Sequence, residues 1–115
     1  MGGRRMRGFL LLSFVSALAA MTVSTARAAP PFNCSVAQEQ AEVALCDSAD
    51  LGLLDREMNR LYFDKRDGLK AAGKLPEADS LRMEQRAFLK TRNDCGYDTV
   101  CITALYKTRL KALGQ

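Results

Sequence analysis

The chain has 115 residues with 17 Lys+Arg, 13 Asp+Glu, four cysteines and no histidine. No imidazole is present to act as a base or proton shuttle. The basic excess is held by Arg4, Arg5, Arg7 and Arg27; without these four, 13 basic residues face 13 acidic ones, so the pI near 9.0 is no sign of a nucleic-acid patch, which needs clustered cations on a folded domain.

The front of the chain reads as an export signal. Arg4, Arg5 and Arg7 precede an apolar run from Phe9 to Met21, and Ala26-Arg27-Ala28 places small residues where a signal peptidase reads them. The run is too short to span a bilayer comfortably, so residues 1–28 are expected to leave as a signal peptide, with no stable membrane anchor afterwards. The remainder, 29–115, is expected to be one small domain in the periplasm or outside the cell. Its formal neutrality predicts little long-range steering of a charged partner.

Domains of this size often need covalent staples, and an even cysteine count in an exported chain reads most simply as disulfides. A four-cysteine zinc site is disfavoured, because zinc pairs have short gaps, whereas Cys34, Cys46, Cys95 and Cys101 are widely spaced. Pro31-Phe32-Asn33 before Cys34 also lacks the small residues that lipid attachment requires. No metal and no cofactor is expected.

Beyond Ala28 the hydrophobic period is helical. A first short helix is predicted from near Ser35 to Leu45, with Ser35 and Gln38 as a capping box. A second cap lies within Asp47-Ser48-Ala49-Asp50. The helix after it aligns Leu51, Leu54, Met58, Leu61 and Tyr62 on one stripe and ends near Ala72, with Gly73 as a left-handed stop.

Pro76 suits the first turn of a third helix whose inner face holds Leu81, Gln85, Phe88, Leu89 and Arg92. Cys95-Gly96-Tyr97 breaks it. Asp98 caps a fourth helix that turns Cys101, Ile102, Leu105, Tyr106, Leu110 and Leu113 inward. The short link around Gly73 makes the two long helices antiparallel. The fold class is therefore all-α: a small disulfide-stapled bundle of three to four helices built on a long antiparallel hairpin.

Cys95 ends one helix and Cys101 lies in the first turn of the next, which allows the roughly 4.4–6.8 Å between α-carbons that a disulfide requires. Cys34 and Cys46 would be about 18 Å apart along an unbroken helix, so bonding them requires the helix to begin later than Ser35. Cys34–Cys46 and Cys95–Cys101 are the favoured pairs; cross-linking the N-terminal segment to the third and fourth helices stays open.

Several of these residues together resemble a known family. They are Phe32-Asn33-Cys34, Glu42, Cys46, the run Leu51 to Glu57, Tyr62, Glu84 to Leu89, Arg92 to Cys95, Cys101, Tyr106, Arg109 and Leu113. In these positions the chain is similar to the LprI-like lysozyme-inhibitor family, over residues 32–113. One departure is Phe88, where the family usually has tryptophan. The resemblance implies an all-helical exported domain with disulfides and a role in inhibiting lysozyme.

The residues themselves offer no catalytic set. Oxidised cysteines supply no thiolate, and Asp55 and Glu57, two apart on a helix, do not face each other. Asp55, Gln85, Arg86, Arg92 and Arg109 read as a structural polar lattice beside the core, since arginine forks onto carboxylates while its stem lies along apolar surface. Tyr62 and Tyr106 read as core with a hydroxyl at the rim. Lys65, Arg66, Lys70 and Lys74, mixed with Asp64 and Asp67, read as a solvated helix face.

Gly96, Tyr97 and Asp98 form a candidate partner-binding loop: short, held between cysteines and bearing an aromatic, it would lose little entropy on binding. The expected function is a non-enzymatic, exported protein-binding domain, with a lysozyme-type muramidase as the partner implied by the resemblance. The alternative is a periplasmic stress or chaperone-like protein, or an envelope adaptor. With carboxylates and no histidine, any acid response is placed at about pH 4, where ordinary carboxyls titrate.

Overall fold

A computed structural model describes residues 33–115; the leader reading lies outside the described residues. A 3₁₀ turn at Cys34–Val36 leads to four helices: α1 (Gln40–Asp47), α2 (Ala49–Ala71), α3 (Leu75–Asp94) and α4 (Thr99–Leu113). α2 and α3 form the long antiparallel hairpin, α4 runs back along α2, and α1 closes one end against α2 and α3.

Local chemistry sets most boundaries. Ser48 Oγ accepts from the Leu51 amide and opens α2. Gly73 ends it at φ 73°. There the Lys74 amide reaches the Leu69 carbonyl at 2.9 Å and the Gly73 amide reaches Lys70 at 3.0 Å, the paired bonds of a Schellman stop. Pro76 sits in the first turn of α3. Asp98 Oδ1 accepts from the Val100 and Cys101 amides and caps α4.

The first helix differs from its sequence reading. It begins at Gln40, and its capping box is built by Glu39 and Glu42, not by Ser35 and Gln38. Ser35 instead bonds Asn33 within the 3₁₀ turn. The late start lets the chain fold back, so Cys34 and Cys46 are disulfide-bonded with α-carbons 5.9 Å apart. Cys95 and Cys101 are bonded at 5.8 Å.

The core joins Ala41, Ala44 and Leu45 of α1 to Leu51, Met58 and Tyr62 of α2 and Leu81 of α3. From α4 it receives Ile102, Tyr106, Leu110 and Leu113. Burying each of the larger side chains is worth about 1.5–3 kcal/mol. Leu54, Leu61 and Phe88 pack against this cluster half-buried. Leu89, Leu105 and Cys101 are also only half-buried. α3 contributes Ala78, Leu81, Gln85 and Arg92 to the interior. Its inner face is therefore half polar, and the other helices must supply partners for it.

Candidate functional site

The buried polar groups of α3 meet α2 and α4 in two hydrogen-bonded limbs. Tyr106 is fully buried, and its Oη donates to Asp55 Oδ1 at 2.6 Å. Arg92 Nη1 donates to the same Oη at 3.4 Å, and Arg92 Nη2 lies 3.8 Å from Glu42 of α1. A second limb begins at Arg109, whose Nε and Nη2 fork onto Gln85 Oε1 at 3.1 and 3.0 Å. Gln85 Nε2 donates in turn to Met58 Sδ at 3.0 Å. Phe88 lies between the limbs. It packs edge-on against Tyr106 with ring centres 5.1 Å apart and under the Arg109 guanidinium at 5.9 Å.

Asp55, Gln85, Arg92 and Arg109 thus belong to one interior arrangement. Arg86 does not: it is exposed, because one residue along a helix rotates the side chain by about 100° and Gln85 already points inward. Tyr106 departs from its reading as well, since its hydroxyl is buried among polar groups, not placed at the rim. Phe88 is a packing position.

Burial holds the Asp55 carboxyl above its ordinary value, outweighing the lowering by Tyr106, Arg92 and Asn59. Burial and the neighbouring Asp55 charge also push the Tyr106 hydroxyl well up. Asp55 Oδ2 has no hydrogen-bond partner among the described residues. Glu57, two residues on, belongs to another environment. It pairs with Arg60 at 2.6 Å on the surface, and that hydrogen bond lowers its pKa. The two carboxyls are not assembled for acid–base work.

The Gly96-Tyr97-Asp98 loop is closed off by the Cys95–Cys101 bond. Gly96 has φ 57°, and a β-carbon there would meet Gln40 Oε1 at 2.9 Å, so the loop lies tight against α1. Tyr97 is 47% exposed, and its hydroxyl donates to Asp47 Oδ2 at the end of α1, which raises its pKa. The loop is thus pinned at three points, by the disulfide, the α4 cap and Asp47. In the sequence Asp47 reads only as part of the capping segment Asp47-Ser48-Ala49-Asp50; its contact with Tyr97 spans 50 residues and leaves no local signal.

An open groove of about 1130 Å³ runs between α2 and α4 beside Leu53, Arg56, Arg60, Thr103 and Lys107. On the hairpin, Lys65, Lys70 and Lys74 are exposed. Arg66 pairs with Asp67 at 2.9 Å and stacks over Phe63 at 4.7 Å.

Among the described residues no group of three His, Cys, Asp or Glu is placed to hold a metal ion. No helix there is long and apolar enough to cross a membrane. A search of curated proteins and a search of solved structures gave no match. The family model described as lysozyme inhibitor LprI matches residues 33–113, which contain both disulfides, the polar lattice and the pinned loop. The chain therefore belongs to the lysozyme inhibitor LprI family.

Proposed function

We propose that residues 29–115, released from an export leader at 1–28, form a protein-binding domain that inhibits a lysozyme-type muramidase by stoichiometric occlusion of its substrate cleft. The observation that carries this reading is the family match over residues 33–113. The chemistry agrees with it. The chain has no histidine, its cysteines are paired with one another, and Asp55 and Glu57 lie in separate environments. Nothing in that set makes a nucleophile with its base.

A binder needs a rigid surface, because ordering a loop on contact subtracts from affinity. Tyr97 meets that need: it is exposed, yet held by a disulfide-closed loop and by Asp47. The paired cysteines suit an oxidising compartment outside the cytosol. In a cell-wall lysis assay the oxidised, secreted protein is expected to slow a lysozyme in proportion to its molar ratio, with inhibition complete near equivalence. Undiminished lysis at micromolar excess over the enzyme overturns the reading for that lysozyme.

A further inference from the structure

The formal neutrality of the domain conceals a division of charge along the molecule. Between Asn33 and Asp55, and again between Asn93 and Tyr106, the chain has no lysine or arginine. The fold brings these two stretches together at the disulfide-stapled end, where α1 meets the start of α2 and the α3–α4 junction. Tyr97 bonding Asp47 and Arg92 approaching Glu42 mark the meeting.

Glu39, Glu42, Asp47, Asp50, Asp94 and Asp98 are the exposed or half-exposed acids of that end. Its one cation, Arg92, is buried with Asp55. The other twelve lysines and arginines of residues 33–115 lie within 56–90 and 107–111, accompanied by six acids. Leaving Asp55 and Arg92 aside, the stapled end carries −6 and the rest of the described chain +6. Helix ends do not cancel this. Three N-termini and two C-termini meet there, and at about half a charge each they offset only about half a charge.

Helix formation accounts for some of these acids, such as Asp98 at its cap, but not for Asp94. It is exposed and closes α3, where the helix's own partial charge is also negative, so folding gains nothing from a carboxylate there. The same end also exposes apolar side chains. Val36 is 64% exposed, Val43 38%, Tyr97 47% and Val100 78%, which is four of the eight large hydrophobics exposed on the described chain. All four lie on segments tied down by the two disulfides.

We propose that this stapled end is the docking face of the domain and that its occupant is the surface of a basic protein. Val36, Val43, Tyr97 and Val100 supply apolar contact. The surrounding acids form a charged rim that selects a cationic partner and speeds its approach. The expectation of weak steering drawn from net charge is thereby replaced, since a divided charge steers even when its sum is zero. The inference rests on the binding-module reading above and adds the face and the charge of the partner.

The test titrates the oxidised, secreted chain with two probes, a strongly basic lysozyme and the comparably basic cytochrome c, and reads association rates at low and physiological salt. Four forms are compared: wild type, Asp50→Lys/Asp94→Lys and Val100→Ser at the stapled end, and Lys70→Glu/Lys74→Glu on the hairpin. Circular dichroism checks that each is folded. With lysozyme, the stapled-end reversal is expected to slow association about tenfold at low salt and to flatten its salt dependence. The hairpin reversal is expected to stay within about twofold of wild type. Val100→Ser is expected to speed dissociation.

Lysozyme inhibition that survives the stapled-end reversal with an unchanged rate overturns the docking face and leaves the inhibitor reading standing. Binding of cytochrome c through the stapled end, with no binding or inhibition of lysozyme, supports the face and removes the lysozyme reading. Failure of wild type to bind either probe overturns the docking proposal.

Discussion

Tyr106 on α4 donates a 2.6 Å hydrogen bond to Asp55 on α2, across 51 residues of sequence, with both side chains buried. The bond satisfies one carboxyl oxygen and leaves the other without a partner among the described residues. Removing the donor leaves Asp55 wholly unpartnered by side-chain hydroxyls. Tyr106→Phe keeps the ring packed on Phe88 and is expected to cost about 1–3 kcal/mol, the penalty for an unsatisfied buried polar group. Urea unfolding measures this; an unchanged midpoint would show that the bond contributes nothing.

Asp55 also sets a pH dependence. Its folded pKa is raised above 3.8, chiefly by burial, so folding disfavours the charged form. The stability linked to protonated Asp55 is fully present below the unfolded pKa and is lost as pH rises through the higher folded value. Asp55→Asn keeps an acceptor for Tyr106 and removes this titration. The stability of wild type relative to Asp55→Asn is therefore expected to increase as pH falls from 7 towards about 4. Chemical denaturation of both proteins across that range checks the sign, and a constant difference would contradict it.

Arg86 and Arg92, six residues apart on α3, should behave differently under mutation. Arg86 is exposed, and Arg86→Ala is expected to shift stability by no more than about 0.5 kcal/mol. Arg92 is 5% exposed, donates to Tyr106 and offsets the Asp55 charge. Losing it leaves a buried carboxyl without its cation, which costs about 3 kcal/mol or more. Arg109→Ala strips Gln85 Oε1 of both its donors and belongs with Arg92. Thermal denaturation of the three variants decides; equal effects at positions 86 and 92 would contradict the lattice.

The disulfides stabilise chiefly by restricting the unfolded chain, a contribution that grows with loop length. With separations of 12 and 6 residues, losing Cys34–Cys46 is expected to cost about 3 kcal/mol and losing Cys95–Cys101 about 2 kcal/mol. Paired cysteine-to-serine variants measure each. Without Cys95–Cys101 the Tyr97 loop should also lose protection in amide exchange, whereas equal protection with and without the bond would mean that Asp47 and the α4 cap suffice.

Much of the architecture was legible because its signals are local. Gly73, Pro76 and Asp98 mark helix ends through their own backbone chemistry, and stripes such as Leu51, Met58 and Tyr62 show which face is inside. Ser35–Gln38 and Glu39–Glu42 both have the spacing of a reciprocal N-terminal cap, and the bond from Cys34 to Cys46 is compatible only with the later one. Arg86 follows Gln85 in the same polar segment, yet a single helical step places it outside. The contacts of Tyr106 with Asp55 and of Tyr97 with Asp47 join segments some fifty residues apart, beyond the reach of any period or spacing. Summed charge likewise hid the acidic end, because only the fold brings residues 33–55 and 93–106 together.

Calorimetric titration of the oxidised chain into a lysozyme, with and without a soluble oligosaccharide filling the enzyme's cleft, tests cleft occlusion most directly. A single binding event at a one-to-one molar ratio, weakened in proportion to the oligosaccharide, is the expected result. Binding indifferent to the oligosaccharide, or no binding to any lysozyme tried, would contradict it.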